Sequence, residues 1–442
     1  QQAIIERLVA NRPRVCIIQG SADHPAHLFD HEHALRAAAR IWQNGGVPFT
    51  FGVPVICDGT AQSNIGQSYS LASRNHTAMA VNINFEGHSY HAAYVIAGCD
   101  KSPAAILSGL AAADRARREP ERGTAPVWAV FVPAHVLKGG SIPPGTRMKL
   151  QSIQERARAK GNAQLANDIE DNCHYILQCS SDEAFLALLN RASECGLTDR
   201  PTANAILDEL SAATCDDKGG ICAFNGTGNS SRTLFSALGF VPEHSELLVN
   251  EAPTGLVAHN VDTLFRLINK PEYAVCELVE RNYANAIRIH NATGSSSNLM
   301  LDMPCIMRHA GFDVSLFDYE KVRQAHVVPD IFAHSLTEGR DTFVLAQQEK
   351  SGLHHGMTSL YKVLHDLSVP MDWDSPTVSG KTWGQRVAEL PEAVSPELSQ
   401  ERSIIRINPV RDISGTDIIR GNFFSSCTLK IAGMSTESYS RY

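Results

Sequence analysis

Two short motifs pair a cysteine with an aspartate directly after an apolar run of strand length. The run VPVI leads into Cys57-Asp58-Gly59, and the run YVIAG leads into Cys99-Asp100-Lys101. In both cases a helical pattern begins within the next several residues. Because ligands of open α/β sheets bind beyond the carboxyl ends of the strands, we expect both motifs to face one crevice.

A third cysteine, Cys222, lies in a glycine-rich segment. It follows Gly219-Gly220-Ile221 and precedes Asn225–Ser231, a run of Gly, Asn, Thr and Ser that enters a helical pattern. Backbone N–H groups and the helix dipole stabilise a thiolate at such a helix entrance. The run lacks the Gly-Lys-Ser/Thr ending of a phosphate loop, so a nucleotide site is not indicated.

The donor types point to two inorganic partners. Thiolates prefer a soft centre such as an iron–sulfur cluster or zinc, whereas carboxylates prefer Mg²⁺ or another hard cation. A cluster held by three cysteines leaves one iron able to act as a Lewis acid. The alternative is three ordinary core cysteines whose strands end in aspartate. The repeated Cys-Asp layout, together with the Gly-rich loop, favours the functional interpretation.

Three further segments carry polar side chains of interest. The run DHPAHLFDHEH from Asp23 to His33 has a spacing that suits a metal, and a solvated helix start explains it equally well. If the cysteines hold a cluster, we expect His27 to line the substrate mouth as a catalytic candidate. The segment Ser295, Ser296, Ser297 and Asn298 suits a substrate carboxylate at a helix entrance, with a tight turn as the competing interpretation. His354-His355-Gly356 is assigned to a loop and is a candidate for substrate contact, although a turn explains it better.

Composition and charge exclude several classes of function. The chain has 442 residues, enough for two or three domains, and an ordinary globular composition with 43% hydrophobic residues. Its formal charge of −8 argues against a nucleic-acid partner. No apolar run reaches the roughly 20 residues that span a bilayer, and Gln1–Asn11 has a helical pattern rather than that of a signal peptide. We therefore expect a cytoplasmic protein without a membrane partner.

Strand-length apolar runs alternate with helical patterns through the first part of the chain, which predicts an α/β fold with a parallel sheet. The predicted strands are Arg14–Gln19, Thr50–Ile56, Tyr90–Ala97 and Pro126–Val132. The predicted helices between them are His31–Asn44, Ser68–Val81 and Pro103–Arg118. Helical additions are predicted over Ile142–Leu210 and from Thr254 to about Leu367.

The character of the sequence changes after Pro370. We predict an α/β domain over residues 1–370, a linker over 371–403 and the start of a C-terminal β domain over 404–442. Three or so short strands would bury little apolar surface alone, so we expect this last domain to be incomplete or to pack on the main body.

Several segments resemble one known family. VICDGTAQSNIGQSYSLASRN, AGCDKSPAAILSGLA and GGICAFNGTGNSS are similar to the signature segments of the dihydroxyacid and 6-phosphogluconate dehydratase family, as are NATGSSSN and GTDIIRGN. The resemblance covers the chain from about Val15 to Met434. Cys57 makes the chain look closer to the 6-phosphogluconate branch, since the dihydroxyacid branch has its first cluster cysteine near the position of His24–His27.

The resemblance implies a role for each motif. Cys57, Cys99 and Cys222 would hold an iron–sulfur cluster of the 4Fe-4S or 2Fe-2S type. Mg²⁺ would be held by Asp58, Asp100 and Lys101, with the lysine carbamylated as in the family and therefore also a catalytic candidate. The family's C-terminal β-barrel-like domain supplies a serine base and a glutamate ligand, and neither can be matched here, so we assign no base.

The implied activity is that of a hydro-lyase. A 2,3-dihydroxy acid or sugar acid would lose the C2 proton and the C3 hydroxyl as water, giving an enol that tautomerises to a 2-oxo acid. The family also implies a homodimer or a higher oligomer. Two alternatives stay open at this point: a non-catalytic iron–sulfur relative that acts as a sensor or assembly partner, and a zinc-dependent hydrolase that uses the same side chains.

Overall fold

A four-stranded parallel sheet forms the centre of the molecule. The computed structural model describes residues 1–61, 64–99, 101–121, 123–174, 177, 179–214, 218–332, 342–390, 403–434 and 436–441. The strands, in chain order, are β1 (Arg14–Gly20), β2 (Val47–Val53), β3 (Ala92–Ala97) and β4 (Trp128–Pro133). Their order across the sheet is β2-β1-β3-β4, and all neighbours are parallel. The predicted α/β class with a parallel sheet is confirmed.

The sequence of each strand matches its place in the sheet. Every residue of β3 and β4 is buried, as expected for apolar runs covered on both faces. β2 lies at the edge, where Pro48 costs no essential ladder hydrogen bond. The prediction of Thr50–Ile56 for this strand was three residues late. β2 pairs with β1 from Val47 onward and ends at Val53, before Pro54, which has no N–H to donate.

Helices cover the sheet and extend beyond it. Those of the sheet region are α1 (Gln2–Val9), α2 (Asp30–Gln43), α3 (Asp58–Ala61), α4 (Gln67–Gly87) and α5 (Ser102–Arg117). A second group is α6 (Pro144–Ala159), α7 (Ala163–His174), α8 (Cys179–Glu194) and α9 (Arg200–Ser211). The third is α10 (Thr227–Ala237), α11 (Thr254–Leu267), α12 (Val275–Ala292), α13 (Leu299–His309), α14 (Leu316–Ala325), α15 (Thr342–Lys350), α16 (Gly356–Asp366) and α17 (Trp383–Ala388). None of the described helices is long and apolar enough to cross a membrane.

Two hydrophobic cores organise these elements. The larger contains the sheet residues and the helices of the first and third groups. The smaller is formed by α6–α9 and the residues beside them, from Ile142 to Leu210. The predicted helical additions are therefore present, and one of them has a core of its own.

The C-terminal segment packs on the main body. It contains β5 (Thr416–Ile419) and β6 (Cys427–Lys430), which form a two-stranded antiparallel sheet, and ends with helix α18 (Thr436–Arg441). Three isoleucines of this segment belong to the larger core: Ile404 and Ile405 before the hairpin, and Ile418 in β5. A hairpin of this size cannot bury its own apolar face, so it packs on the main body. The barrel-like domain predicted for this region remains an expectation.

Candidate active site

The strand order creates a switch point between β1 and β3. From β1 the chain moves outward to β2 and then returns to the other side of β1 to form β3. The crevice of a doubly wound sheet opens at such a point, beyond the carboxyl ends of the two strands. The two Cys-Asp motifs follow β2 and β3, the two strands that flank β1.

His27 fills the gap at this switch point. A Cβ added to Gly20 would lie 2.2 Å from its ring, and one added to Gly98 would lie 2.0 Å from Nε2, so only glycine fits at both strand ends. Asp30 fixes the ring through Nδ1 at 2.6 Å and also accepts from the N–H of Gly20 at 3.3 Å. His24 and His27 are buried rather than solvated. His27 stands against the residue before Cys99, and its role at a substrate mouth remains a prediction.

Asp58 and Lys101 are brought together from the two motifs. Lys101 Nζ donates to Asp58 Oδ2 at 2.6 Å, and Ser70 Oγ donates to the other carboxylate oxygen. Lys101 immediately precedes α5 and its side chain is only 4% exposed, whereas the Asp58 side chain at the start of α3 is 31% exposed. The carboxylate is thus held by a buried cation and remains partly exposed to solvent.

Cys99 and the Cys222 loop meet at the start of α10. A Cβ on Gly228 would lie 2.8 Å from Cys99 Sγ, so the first turn of α10 comes close to that sulfur only because residue 228 is glycine. Ser102 Oγ donates to the carbonyl of Cys99 at 2.7 Å and holds the turn that presents the sulfur. Cys222 lies six residues before Gly228.

The loop before Cys222 is bridged to the segment that follows β4. Ile221 forms a parallel bridge with Val136, with Ile221 N–H donating to His135 O at 2.8 Å and Leu137 N–H donating to Ile221 O at 2.7 Å. Gly220 has φ +107, and a Cβ there would meet the His135 backbone and ring. This geometry places the residue before Cys222 beside the segment that follows the carboxyl end of β4.

The Ser295–Asn298 segment contacts the same helix start. Asn298 Nδ2 donates to Thr227 Oγ1 at 2.8 Å, and Ser296 N–H donates to Ser230 Oγ at 2.8 Å. Ser295 is fully buried with its hydroxyl 2.7 Å from that of Thr293, whereas Ser297 is exposed. The segment opens α13, so a helix N-terminus stands beside α10 near Cys99.

Sequence reasoning missed one buried ion pair of this region. Arg74 Nη1 lies 2.8 Å from Asp302 Oδ1, across 228 residues, with side-chain exposures of 15% and 1%. Burial raises the pKa of Asp302, while Arg74 and the nearby Lys101 oppose the rise. The available signal was Arg74 itself, a basic residue inside the segment that follows Asp58 and resembles the family.

The donor set suits the two inorganic groups expected from the sequence. The cysteines of a cluster bind different iron atoms, so their sulfurs need not converge on one point. Because residue 228 is glycine, the Cys99 sulfur can lie close to the first turn of α10, the helix that follows Cys222. Mg²⁺ needs only one or two carboxylates besides water and substrate, and Asp58 is reachable for that purpose. Asp100, the other predicted carboxylate ligand, lies outside the described residues. Among the residues that are described, no group of three His, Cys, Asp or Glu side chains is placed to hold a single metal ion.

Comparisons with known proteins agree with the resemblance. The model of the dihydroxy-acid/6-phosphogluconate dehydratase N-terminal region matches residues 12–118 and 188–386. Curated proteins named dihydroxy-acid dehydratase are also similar. The one from Desulfitobacterium hafniense is 27% identical over 94% of this chain and 63% of its own length. The one from Microcystis aeruginosa is 25% identical over 96% and 66%.

A relative from Methanosarcina barkeri with the same name is 24% identical over 93% of this chain and 64% of its own. The chain thus spans just under two thirds of the length of the curated relatives that it matches. The matched family model covers well over half of the chain, including the segments that carry Cys57, Cys99 and Cys222. This chain belongs to the dihydroxy-acid/6-phosphogluconate dehydratase family.

Proposed function

We propose that this protein is a hydro-lyase that removes water from a 2,3-dihydroxy acid or sugar acid and yields a 2-oxo acid. Two contacts between the cysteine segments support the proposal: Lys101, two residues after Cys99, pairs with Asp58, the residue after Cys57, and the first turn of α10 approaches the Cys99 sulfur. Cys57 and Cys99 follow the two strands beside β1, and the helix after Cys222 touches the sulfur of Cys99. The names of the relatives support the same reaction class.

Each residue has a proposed task. Cys57, Cys99 and Cys222 hold an iron–sulfur cluster, and Asp58, Asp100 and Lys101, the lysine in its carbamylated form, hold Mg²⁺. When bound, the cluster supplies a Lewis acid for the leaving hydroxyl and Mg²⁺ supplies positive charge for the substrate carboxylate. Ser70 orients the carboxylate of Asp58 through its hydrogen bond, and the unmodified Lys101 donates to the other carboxylate oxygen. The branch with 6-phosphogluconate as its substrate remains our preference because of Cys57.

The Ser295–Asn298 segment is proposed to orient the acid group of the substrate. Ser297 is exposed, and Asn298 is held by Thr227 at the N-terminus of α13, where partial positive charge favours a carboxylate. Ser295 and Ser296 fix the conformation of this loop from its buried side. The carbonyl oxygen of Ser296 lies 2.8 Å from His290 Nε2. Burial lowers the pKa of His290 to about 4, so the ring stays neutral and donates to that oxygen.

A 2-oxo-acid assay tests the function directly. The protein is purified without oxygen, its iron, sulfide and zinc are measured, and it is incubated with a panel of aldonic acids and 2,3-dihydroxy acids. Formation of a 2-oxo acid together with iron and sulfide supports the proposal. Iron and sulfide without turnover of any panel member would favour a non-catalytic iron–sulfur relative. Zinc without iron would favour the zinc hydrolase.

The oligomeric state and the location in the cell are separate predictions. The homodimer expected from the family is tested by light scattering of the purified protein, and the cytoplasmic location by fractionation of cells. Neither outcome bears on the reaction.

A further inference from the structure

Asn229 fastens the loop that carries Cys222 to the first turn of α10. Its Nδ2 donates to the carbonyl oxygen of Cys222 and, at 3.0 Å, to that of Phe224. Carbonyl groups in the interior need a donor, and the amide of Asn229 has two protons to give. Asn229 is only 1% exposed, so water does not compete for these bonds. The side chain therefore holds the backbone of Cys222 itself.

Arg232, almost one turn further along α10, fixes the orientation of Asn229. Its Nε donates to Asn229 Oδ1 at 3.2 Å, which directs the amide nitrogen to the loop. Its Nη1 donates to Glu246 O at 2.7 Å, and its Nη2 donates to Ala134 O at 2.6 Å. Arg232 is buried, and all three nitrogens of its guanidinium are thus engaged. We call Asn229 and Arg232 the α10 clamp.

The hydrogen bonds of the α10 clamp continue to the strand that leads to Cys99. Ala134 follows β4 directly, and its N–H donates at 2.9 Å to the carbonyl oxygen of Ala97, the last residue of β3. Ala97 lies two residues before Cys99. An unbroken chain of hydrogen bonds therefore runs from the end of β3 through Ala134 and the α10 clamp to the carbonyl of Cys222.

Cys222 is held on both sides by this arrangement. The bridge of Ile221 to the segment after β4 fixes the loop before the cysteine, and the α10 clamp fixes the loop after it. Each thiolate of a cluster bonds a separate iron, so three cysteines must be spaced to fit one cluster. Hydrogen-bonding groups behind the ligands set that spacing and tune the bound centre.

We propose that Asn229 and Arg232 are positioning residues, which set the place of Cys222 relative to Cys99 so that both thiolates reach one cluster. The proposal rests on the proposed function, because it assigns the α10 clamp to the cluster site. Both residues act through the backbone of Cys222 and contact neither iron nor substrate.

Amide hydrogen exchange of the iron-free protein tests whether the α10 clamp holds the loop. Asn229→Asp keeps the shape and the acceptor for Arg232 but removes both protons that bind the loop carbonyls. We expect peptides from residues 219–230 to exchange at least about tenfold faster than in the parent, the scale of two lost hydrogen bonds. Exchange at the parent's rate, with the fold intact by circular dichroism, would overturn the proposal.

Asn282→Asp is the matched control. Asn282 is fully buried and donates from Nδ2 to Leu278 O at 3.1 Å and to Pro376 O at 3.0 Å. Its Oδ1 accepts from Trp383 Nε1 at 3.0 Å. The variant loses the same number of hydrogen bonds, but from α12 and the segment before α17. We expect residues 219–230 to exchange as in the parent. Equally faster exchange in both variants would reflect general destabilisation and would overturn the proposal.

Iron content and the electron paramagnetic resonance spectrum show whether the placement matters for a cluster. After anaerobic reconstitution, Asn229→Asp should lose most of the parent's iron or show an altered spectrum, whereas Asn282→Asp should match the parent in both. Arg232→Lys keeps the charge but offers one nitrogen in place of three, so it should fall between the parent and Asn229→Asp. Iron and a spectrum like the parent's in Asn229→Asp would overturn the proposal.

A failure of the proposed function would look different. A parent protein without iron would refute the cluster, whereas the exchange of residues 219–230 in the iron-free variants would still decide whether the α10 clamp holds Cys222.

Discussion

Lys101 Nζ lies 2.6 Å from Asp58 Oδ2, which joins the two Cys-Asp motifs through a cation and a carboxylate. The two residues are 43 positions apart and lie at the starts of two different helices. Their contact depends on the strands before them, β2 and β3, which both pair in parallel with β1. The lysine is buried and the aspartate is partly exposed to solvent. This relationship leads to the first prediction.

Asp58→Asn should weaken binding of a divalent cation. The amide keeps the shape of the side chain but removes the negative charge that a hard cation prefers. We expect the affinity for Mn²⁺, followed by electron paramagnetic resonance, to fall by about tenfold or more. Asp262→Asn, which removes a carboxylate paired with Arg40 on the surface, should leave this affinity unchanged. Equal Mn²⁺ binding by both variants would argue against a cation site at Asp58.

Gly228→Ala should disturb the thiolate of Cys99. The added Cβ would lie 2.8 Å from Sγ, and overpacking of this kind costs about 1–3 kcal/mol. Gly255 occupies the same position in the first turn of α11 and has no atom within 4 Å of its would-be Cβ, which makes Gly255→Ala the matched control. Iron and sulfide per chain after anaerobic reconstitution should fall in the first variant only. If both variants retain the parent's iron content, Gly228 does not shape the cysteine site.

Asp302→Ala should destabilise the fold by leaving Arg74 without its carboxylate. Breaking a fully buried pair costs about 3–5 kcal/mol, and the 15% exposure of Arg74 reduces this to about 2–3 kcal/mol. The Arg308–Asp313 pair has exposures of 61% and 98%, so Asp313→Ala should change the free energy of unfolding by less than about 0.5 kcal/mol. Urea unfolding of both variants measures the difference. Similar changes in the free energy of unfolding for the two variants would show that the buried ion pair stabilises the fold no more than the exposed one.

Glu349→Gln should stabilise the protein increasingly as the pH rises. The folded-state pKa is about 8 and lies above the unfolded value, so the folded chain binds the extra proton between those two pKa values. Stability is therefore lost as the pH rises through this window, and glutamine removes the loss. Thermal unfolding at pH 5, 6.5 and 8 should show a growing advantage of the variant. A constant difference across the three pH values would contradict the raised pKa.

The sequence predicted local elements better than long-range contacts. β1, β3 and β4 were placed within two residues at each end because apolar runs in a parallel sheet are bounded by polar residues or turns. β2 was misplaced because its start depends on pairing with β1, which the local pattern does not contain. The contact of Arg74 with Asp302 depends on how α4, α5 and α13 pack, so no local spacing could reveal it.

In the candidate site, too, the local motifs could be predicted from the sequence and the long-range contacts could not. The motifs were recognisable because Cys57 and Cys99 are each followed by an aspartate, and Cys222 lies in a glycine-rich segment. The fit of His27 between Gly20 and Gly98 was not, since it requires two adjacent strand ends and a turn from another segment. The sequence supplied the donor types, and the sheet order supplied their arrangement.

The central claim is that the three cysteines hold an iron–sulfur cluster, and iron and sulfide content tests it most directly. The parent protein, Cys99→Ser and Cys195→Ser are purified and reconstituted without oxygen, where Cys195 is an exposed residue at the end of α8. We predict iron and sulfide with a visible absorption band in the parent and in Cys195→Ser, and their loss in Cys99→Ser. Equal iron and sulfide in all three proteins, or none in the parent, would contradict the account.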